Sequence, residues 1–169
     1  MQLQTLNDLL TEQLQDLYSA ETQLVVALPK LAAASSHEEL RDAFEQHLQE
    51  TRGHVSRLDQ IAGEIGISLQ GEECKGMAGL IREGDEILSM QGDPTVIDAA
   101  LIAAAQRVEH YEIAAYGTAK TLADQLDLGE VKNLLDETLG EEGKADKLLT
   151  SIATGGMFKS GVNDRAATR

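Results

Sequence analysis

Acidic and imidazole side chains interrupt four apolar stripes in this sequence, each time near the middle of a long helical pattern. The first stripe reads Leu10, Leu14, Leu17, Glu21, Leu24, Leu28, with one acid among leucines at helical spacing. The second reads Leu40, Phe44, His47, Glu50 or Thr51, His54, Leu58, Ile61. The third reads Ile102, Ala105, Glu109, Glu112, Tyr116, Ala119, Ala123, and the fourth Leu135, Thr138, Glu142, Ala145 or Asp146, Leu149, Ile152. Burying one unpaired carboxylate costs several kcal/mol, against a net domain stability of about 5–15 kcal/mol. Glu21, Glu50, Glu109, Glu112, Glu142 and Asp146 facing one core therefore need protons or cations. Arg52, Arg107, Lys120 and Lys144 lie off the stripes. Two divalent metal ions per chain would supply about four positive charges to hard oxygen and imidazole ligands.

The spacing has an internal echo. Glu50-Thr-Arg-Gly-His54 matches Glu142-Gly-Lys-Ala-Asp146, and a gap of four puts both side chains on one helical face. The echo selects Glu142 over Glu141. It also favours His54 as the imidazole ligand, with His47, three residues before Glu50, as the alternative. Asp16 lies about 140° round the helix from Glu21 and is expected in solvent. His110 points about 100° from Glu109, towards a helix–helix contact, and His37 is expected in solvent. Tyr18, Tyr111 and Tyr116 read as packing residues. Tyr116, one turn beyond Glu112, is the hydroxyl best placed to reach the ligands. Cys74 reads as structural.

Long helices must position these groups. The first is expected from Leu6 to Ala34, behind a Thr5/Asp8 capping box and weakened by Pro29 near its end. The second follows a Ser36/Glu39 capping box and reaches Ile65. A loop at 66–71 and a short helix from Cys74 to Met90 come next. Asp93 as N-cap and Pro94 at the first helical position open the third long helix, to about Leu126. The fourth runs from about Glu130 to Ala153 and stops at Gly155-Gly156. Two short links and one long connection predict an all-α, ferritin-like four-helix bundle. Its long crossover, between the second and third long helices, contains the short fifth helix. The bundle occupies 1–156, and the tail 157–169 is expected to fray.

Composition agrees. Among 169 residues there are 29 acids and 14 Lys or Arg, a formal charge of −15. That excess excludes nucleic acid and an anionic membrane surface as partners. Two prolines and 3% aromatic residues suit helices and disfavour sandwiches and barrels. A single cysteine excludes an intramolecular disulfide framework and multi-cysteine metal sites. No apolar run approaches 18 residues, and the N-terminal stretch lacks a leader pattern, so a cytoplasmic location is expected.

Four segments carry a family resemblance over about residues 3 to 155. They are Tyr18-Ser-Ala-Glu21, His47-Leu-Gln-Glu50-Thr51, the stretch from Ala103 through Glu109-His-Tyr-Glu112 to Tyr116-Gly, and Glu137-Thr-Leu-Gly-Glu141-Glu142. These resemble the YciF/YciE ferritin-like stress proteins, a group similar to rubrerythrin-type di-iron proteins. The resemblance implies a bacterial, cytoplasmic stress protein with a di-metal bundle, iron first and manganese as the alternative. Reaction with O2 or peroxide would follow. The chain has no Cys-x-x-Cys, so such turnover would need an external electron donor. A homo-oligomer, by preference a dimer, is expected. Rubrerythrins carry Glu-x-x-Glu on the third long helix, matched by Glu109 and Glu112. They carry Glu-x-x-His on the second, where Gly53 stands here, and Ala145 stands where the fourth would place a histidine. Iron storage in a closed shell and a metal-stabilised interaction protein without turnover are the alternative functions. Particle size and redox cycling by peroxide separate them.

Overall fold

The computed structural model describes residues 3–156 and 159–168. Four long helices, α1 (Leu6–Ala34), α2 (Glu38–Ile65), α4 (Pro94–Gln125) and α5 (Gly129–Thr154), form the bundle, and α3 (Lys75–Ser89) lies in the long connection. A two-residue antiparallel pair, β1 (Gly155–Gly156) with β2 (Lys159–Ser160), leads to the short α6 (Val162–Ala167). None of the described helices is long and apolar enough to cross a membrane.

The helix starts follow their caps. Thr5 Oγ1 accepts from the Asp8 N–H at 3.1 Å, and Asp8 Oδ2 accepts from the Thr5 N–H at 2.9 Å, closing the expected box. Asp93 Oδ1 accepts from the Thr95 N–H at 2.8 Å at the head of α4. The helix α1 continues through Pro29, which is exposed, to Ala34.

The start of α2 differs from expectation. Its N-cap is His37, which makes no capping bond, and Ser36 does not close a box with Glu39. Both are drawn elsewhere: Glu39 pairs with Lys159, and the Ser36 hydroxyl donates to Asp98 on α4. The buried Asp98 carboxylate also accepts the N–H groups of Ser36 at 2.9 Å and His37 at 3.0 Å. An acid 61 residues away thus satisfies donors that a local cap would have taken. Asp98→Ala leaves three donors without this acceptor. It should cost about 2–3 kcal/mol and lower the melting temperature by about 4–12 °C, read by thermal unfolding beside Asp98→Asn, which keeps one acceptor oxygen.

In the tail, the described residues 159–168 lie against the bundle. Val162 is fully buried in the main core, and α6 packs on α4 and α5. Two glycines make the return possible. Gly155 adopts φ +72°, and a Cβ on Gly161 would lie 2.3 Å from the Ala153 carbonyl oxygen.

The core is split. One apolar cluster joins Leu24 and Leu28 of α1, Leu40 and Phe44 of α2, Leu101 and Ile102 of α4, and Leu149 and Ile152 of α5. The other joins Leu10 and Leu14, Leu58 and Ile61, Ala119 and Ala123, and Val131 and Leu135. The beginning of α1 therefore meets the ends of α2 and α4 and the beginning of α5. Hence α2 and α4 run parallel, as the long crossover requires. Between the two clusters lies the layer where every stripe is interrupted.

Candidate metal centre

Each long helix contributes to that layer. Glu21 comes from α1, His47 and His54 from α2, Glu109 and Glu112 from α4, and Glu142 from α5, all of them no more than 5% exposed. They form two groups in which one ligand atom per residue lies within 4.8 Å of all the others: His47, Glu109, Glu112, Glu142, and Glu21, His54, Glu142. Glu142 belongs to both. Its Oε1 is 3.0 Å from His54 Nδ1, and its Oε2 is 3.8 Å from His47 Nε2. His54 Nδ1 also stands 3.2 Å from Glu21 Oε1, and His47 Nε2 3.4 Å from Glu109 Oε1.

A second layer holds these groups. His54 Nε2 donates to Glu141 Oε2 at 3.0 Å, which fixes the ring with Nδ1 facing Glu21 and Glu142. Glu141 Oε2 also accepts from Arg57 Nη1 at 3.0 Å, and Arg57 Nη2 donates to Glu137 at 2.8 Å. The buried Tyr116 hydroxyl donates to Glu21 Oε1 at 2.5 Å. Thr51 faces inward between the histidines, but its hydroxyl is spent on the His47 carbonyl of its own helix.

Without metal, protons occupy this layer. Burial pushes the Glu109 and Glu112 carboxyls well above the usual range, with neighbouring carboxylates adding to the rise and, for Glu109, His47 opposing it. Burial also raises Glu21 despite the opposing charge of His54, 3.2 Å away. Burial alone would lower both histidines. Glu109, Glu50 and Glu142 outweigh it at His47, which rises to about 9, and Glu142 and Glu21 do so at His54, which rises to about 10. Glu142 is lowered instead, because the two histidines overcome its burial. Even so, Glu21 Oε2, Glu109 Oε2, His54 Nδ1, both ring nitrogens of His47, and both oxygens of Glu112 and of Glu142 are buried without a hydrogen-bond partner. Unpaired hard oxygens and imidazole nitrogens converging from four helices are the donor set that divalent metals take.

Two expected ligands lie outside the layer. Glu50 stands at its rim, with its side chain 30% exposed, bonded to Gln46 at 2.9 Å and 3.7 Å from His47 Nδ1. The inward stripe of α2 is His47, Thr51, His54, and Glu50 is turned about 100° from Thr51. Asp146 is directed away, accepting from Gln106 at 3.1 Å and lying 3.2 Å from His110. The echo of Glu50/His54 in Glu142/Asp146 is therefore not spatial, and the structure brings both His47 and His54 to the cluster. His110 is exposed rather than packed between helices, and His37 is half-buried. Asp16 is not free in solvent: its Oδ2 accepts from the Tyr111 hydroxyl at 2.7 Å and the Cys74 thiol at 3.2 Å. Cys74 is buried as the N-cap of α3. Glu141 and Arg57 escaped the sequence reading because they sit beside the apolar stripes. The signal was two one-turn pairs on different helices, Glu137 with Glu141 and His54 with Arg57.

Comparison with known proteins accords with this architecture. A family model described as "Domain of unknown function (DUF892)" matches residues 5–167. Protein YciF of Escherichia coli (strain K12) is 46% identical over 164 residues, 96% of this chain and 99% of that protein. The crystal structure of the E. coli stress protein YciF matches with a TM-score of 0.86 at 48% identity, covering 88% of this chain and 94% of that one. A structure of ferritin-like, diiron-carboxylate proteins from Bacillus anthracis str. Ames matches with a TM-score of 0.67 at 17% identity, over 88% and 97% of the two chains. At that identity the likeness shows the fold, which is the ferritin-like bundle. With its family model matched almost end to end, the chain belongs to the DUF892 family.

Proposed function

We propose that this chain is a di-metal carboxylate protein of the bacterial stress response, holding two divalent ions and reacting with O2 or peroxide. The observation that carries it is the Glu142 carboxylate, whose two oxygens face two different histidine-and-carboxylate groups in one buried layer. Glu21, His54 and Glu142 would hold one ion, and His47, Glu109, Glu112 and Glu142 the other. Iron is the first choice and manganese the alternative. Bound there, the ions would supply reversible one-electron chemistry among oxygen-rich ligands. The protein's own groups orient and protonate: Glu141 fixes the His54 ring, and the Tyr116 hydroxyl holds Glu21 and keeps a proton one bond from it. The E. coli relative's name as a stress protein supports the cellular setting. An external electron donor, a cytoplasmic location and a homodimer complete the proposal.

The test is metal analysis of protein purified without chelators, with its electronic spectrum recorded before and after peroxide. Two ions per chain and a peroxide-dependent change in the visible region are expected. Two ions with no spectral response would leave a metal-stabilised protein without turnover, and no ions would end the reading. The outer layer gives a further expectation. Glu141→Ala should weaken one of the two ions about 10- to 100-fold, by titration, with Glu141→Gln retaining part of the affinity through its amide oxygen.

A further inference from the structure

The polar layer is closed at one end and open at the other. At the His54 end, Glu141 and Arg57 cover the outer ring nitrogen, and Tyr116 closes over Glu21. At the His47 end, a cavity of about 200 Å3 lies between α2 and α5. His47 and Glu109 form its floor, and Ala43, Phe44, Ala145 and Leu149 line its walls. Apolar cavities of about 150 Å3 take up benzene, so this one has room for a single ring or a short aliphatic chain. The floor is not finished by the protein itself. Both ring nitrogens of His47, a residue only 5% exposed, and Glu109 Oε2 have no hydrogen-bond partner.

Charge orders what can enter. Glu50 at the rim accepts from Gln46 at 2.9 Å and stands 3.7 Å from His47 Nδ1. Lys144, also lining the cavity, forms no ion pair among the described residues, whereas Lys30, Lys120, Lys132 and Lys159 each hold an acid. The unspent charge at the mouth is thus a cation, while the floor is crowded with carboxyl groups. An anionic group is attracted to the mouth, where it keeps its water, the buried floor would strip that water away, and the walls between them favour an apolar body.

We propose that this cavity binds a small monocarboxylate with an apolar body of one ring or a short chain, its carboxylate on Lys144 and its apolar end against His47. This inference rests on the reading of the layer as a metal centre, since it names the class of organic molecule that would lie beside those ligands. The cavity itself belongs to the fold, so binding can be measured apart from metal.

The probe is sodium benzoate, with benzyl alcohol as its uncharged counterpart. Each is titrated by calorimetry and ligand-observed NMR into the full chain, with its metal content measured alongside. Benzoate should bind at millimolar concentration or tighter. Lys144→Ala should weaken benzoate about three- to fivefold, the scale of an exposed ion pair, and leave benzyl alcohol unchanged. Lys147→Ala, on an exposed lysine outside the cavity, should change neither. Ala145→Phe fills the cavity and should abolish binding of both. Leu148→Trp, at a 41% exposed position on the cavity's edge, does the same without burdening the core, should Ala145→Phe fail to fold. Absence of benzoate binding by the metal-loaded chain would overturn the proposal while leaving the metal centre intact. So would unchanged binding by both blocking variants, or an effect of Lys144→Ala that is equal on the two probes. A chain that binds benzoate as described but holds no metal would sink the metal reading alone.

Discussion

Loading the metal-free chain anaerobically with Fe(II) or Mn(II) should raise its melting temperature by about 10–20 °C, and the gain should grow from pH 5 to pH 9. Each site filled at about a hundred times its dissociation constant contributes about 2.7 kcal/mol, so two contribute about 5 kcal/mol. A domain of this size gains about 2–4 °C per kcal/mol. The pH trend comes from the protons that the ions replace. Glu21, Glu109 and Glu112 have folded pKa values raised by burial. Their contribution to the stability of the metal-free chain is complete below the unfolded value of 4.5 and is lost as pH climbs through the raised values. His47 and His54 act in the same direction, fully below 6.5 and lost through about 9 and about 10. Glu142, lowered by the two histidines, contributes above 4.5 and loses that contribution as pH falls. The metal-free chain should therefore be most stable in mild acid and weaken steadily towards pH 9. Metal ligands must be deprotonated, so the ions bind best where the protons leave most easily. Melting curves at pH 5, 7 and 9, with and without metal, read both trends. No shift on loading, or a shift greatest at pH 5, would contradict a metal centre in this layer.

Much of the bundle is legible in the sequence, because helix periodicity and capping are local. Thr5 with Asp8, and Asp93 with Pro94, announce two helix starts that the structure keeps. The length of the connection announces the parallel arrangement of α2 and α4. What escapes is what another element decides. Ser36 and Glu39 have the spacing of a capping box, yet Asp98 and Lys159 take them. Val162 looks like part of a polar tail until α4 and α5 offer it a buried seat.

The site divides in the same way. Glu21, Glu109, Glu112 and Glu142 come together because each breaks an apolar stripe, and burial of the stripe carries the acid inward. Glu50 and Asp146 lie outside this group, because a spacing of four puts two side chains on one helical face without making that face the inward one. Thr51 occupies the inward position beside Glu50, and its modest chemistry gave no warning. The single choice between His47 and His54 dissolves for a related reason. They lie seven residues apart, about two helical turns, so they point the same way and serve opposite ends of one layer.

That geometry leads to the sharpest expectation for a single residue. Glu142 belongs to both ligand groups, whereas each histidine belongs to one. Glu142→Gln keeps the shape of the side chain but removes the anion between the two sites, and it should reduce bound metal from two ions per chain to none at micromolar free metal. His47→Ala and His54→Ala should each retain one. Glu142→Gln also takes away the carboxylate that helps to raise both histidines. In the metal-free variant they should titrate at lower pH, a shift that NMR of the ring protons reads without any metal present. Circular dichroism checks that the helices survive, since breaking a buried charge pair costs about 3–5 kcal/mol. Retention of one ion at wild-type affinity by Glu142→Gln would show that the carboxylate serves one site alone. Loss of both ions in either histidine variant would show instead that the second ion depends on the first. Among the described residues Glu142 alone belongs to both groups, so its glutamine variant, read beside the two histidine variants, separates a shared carboxylate from two independent sites.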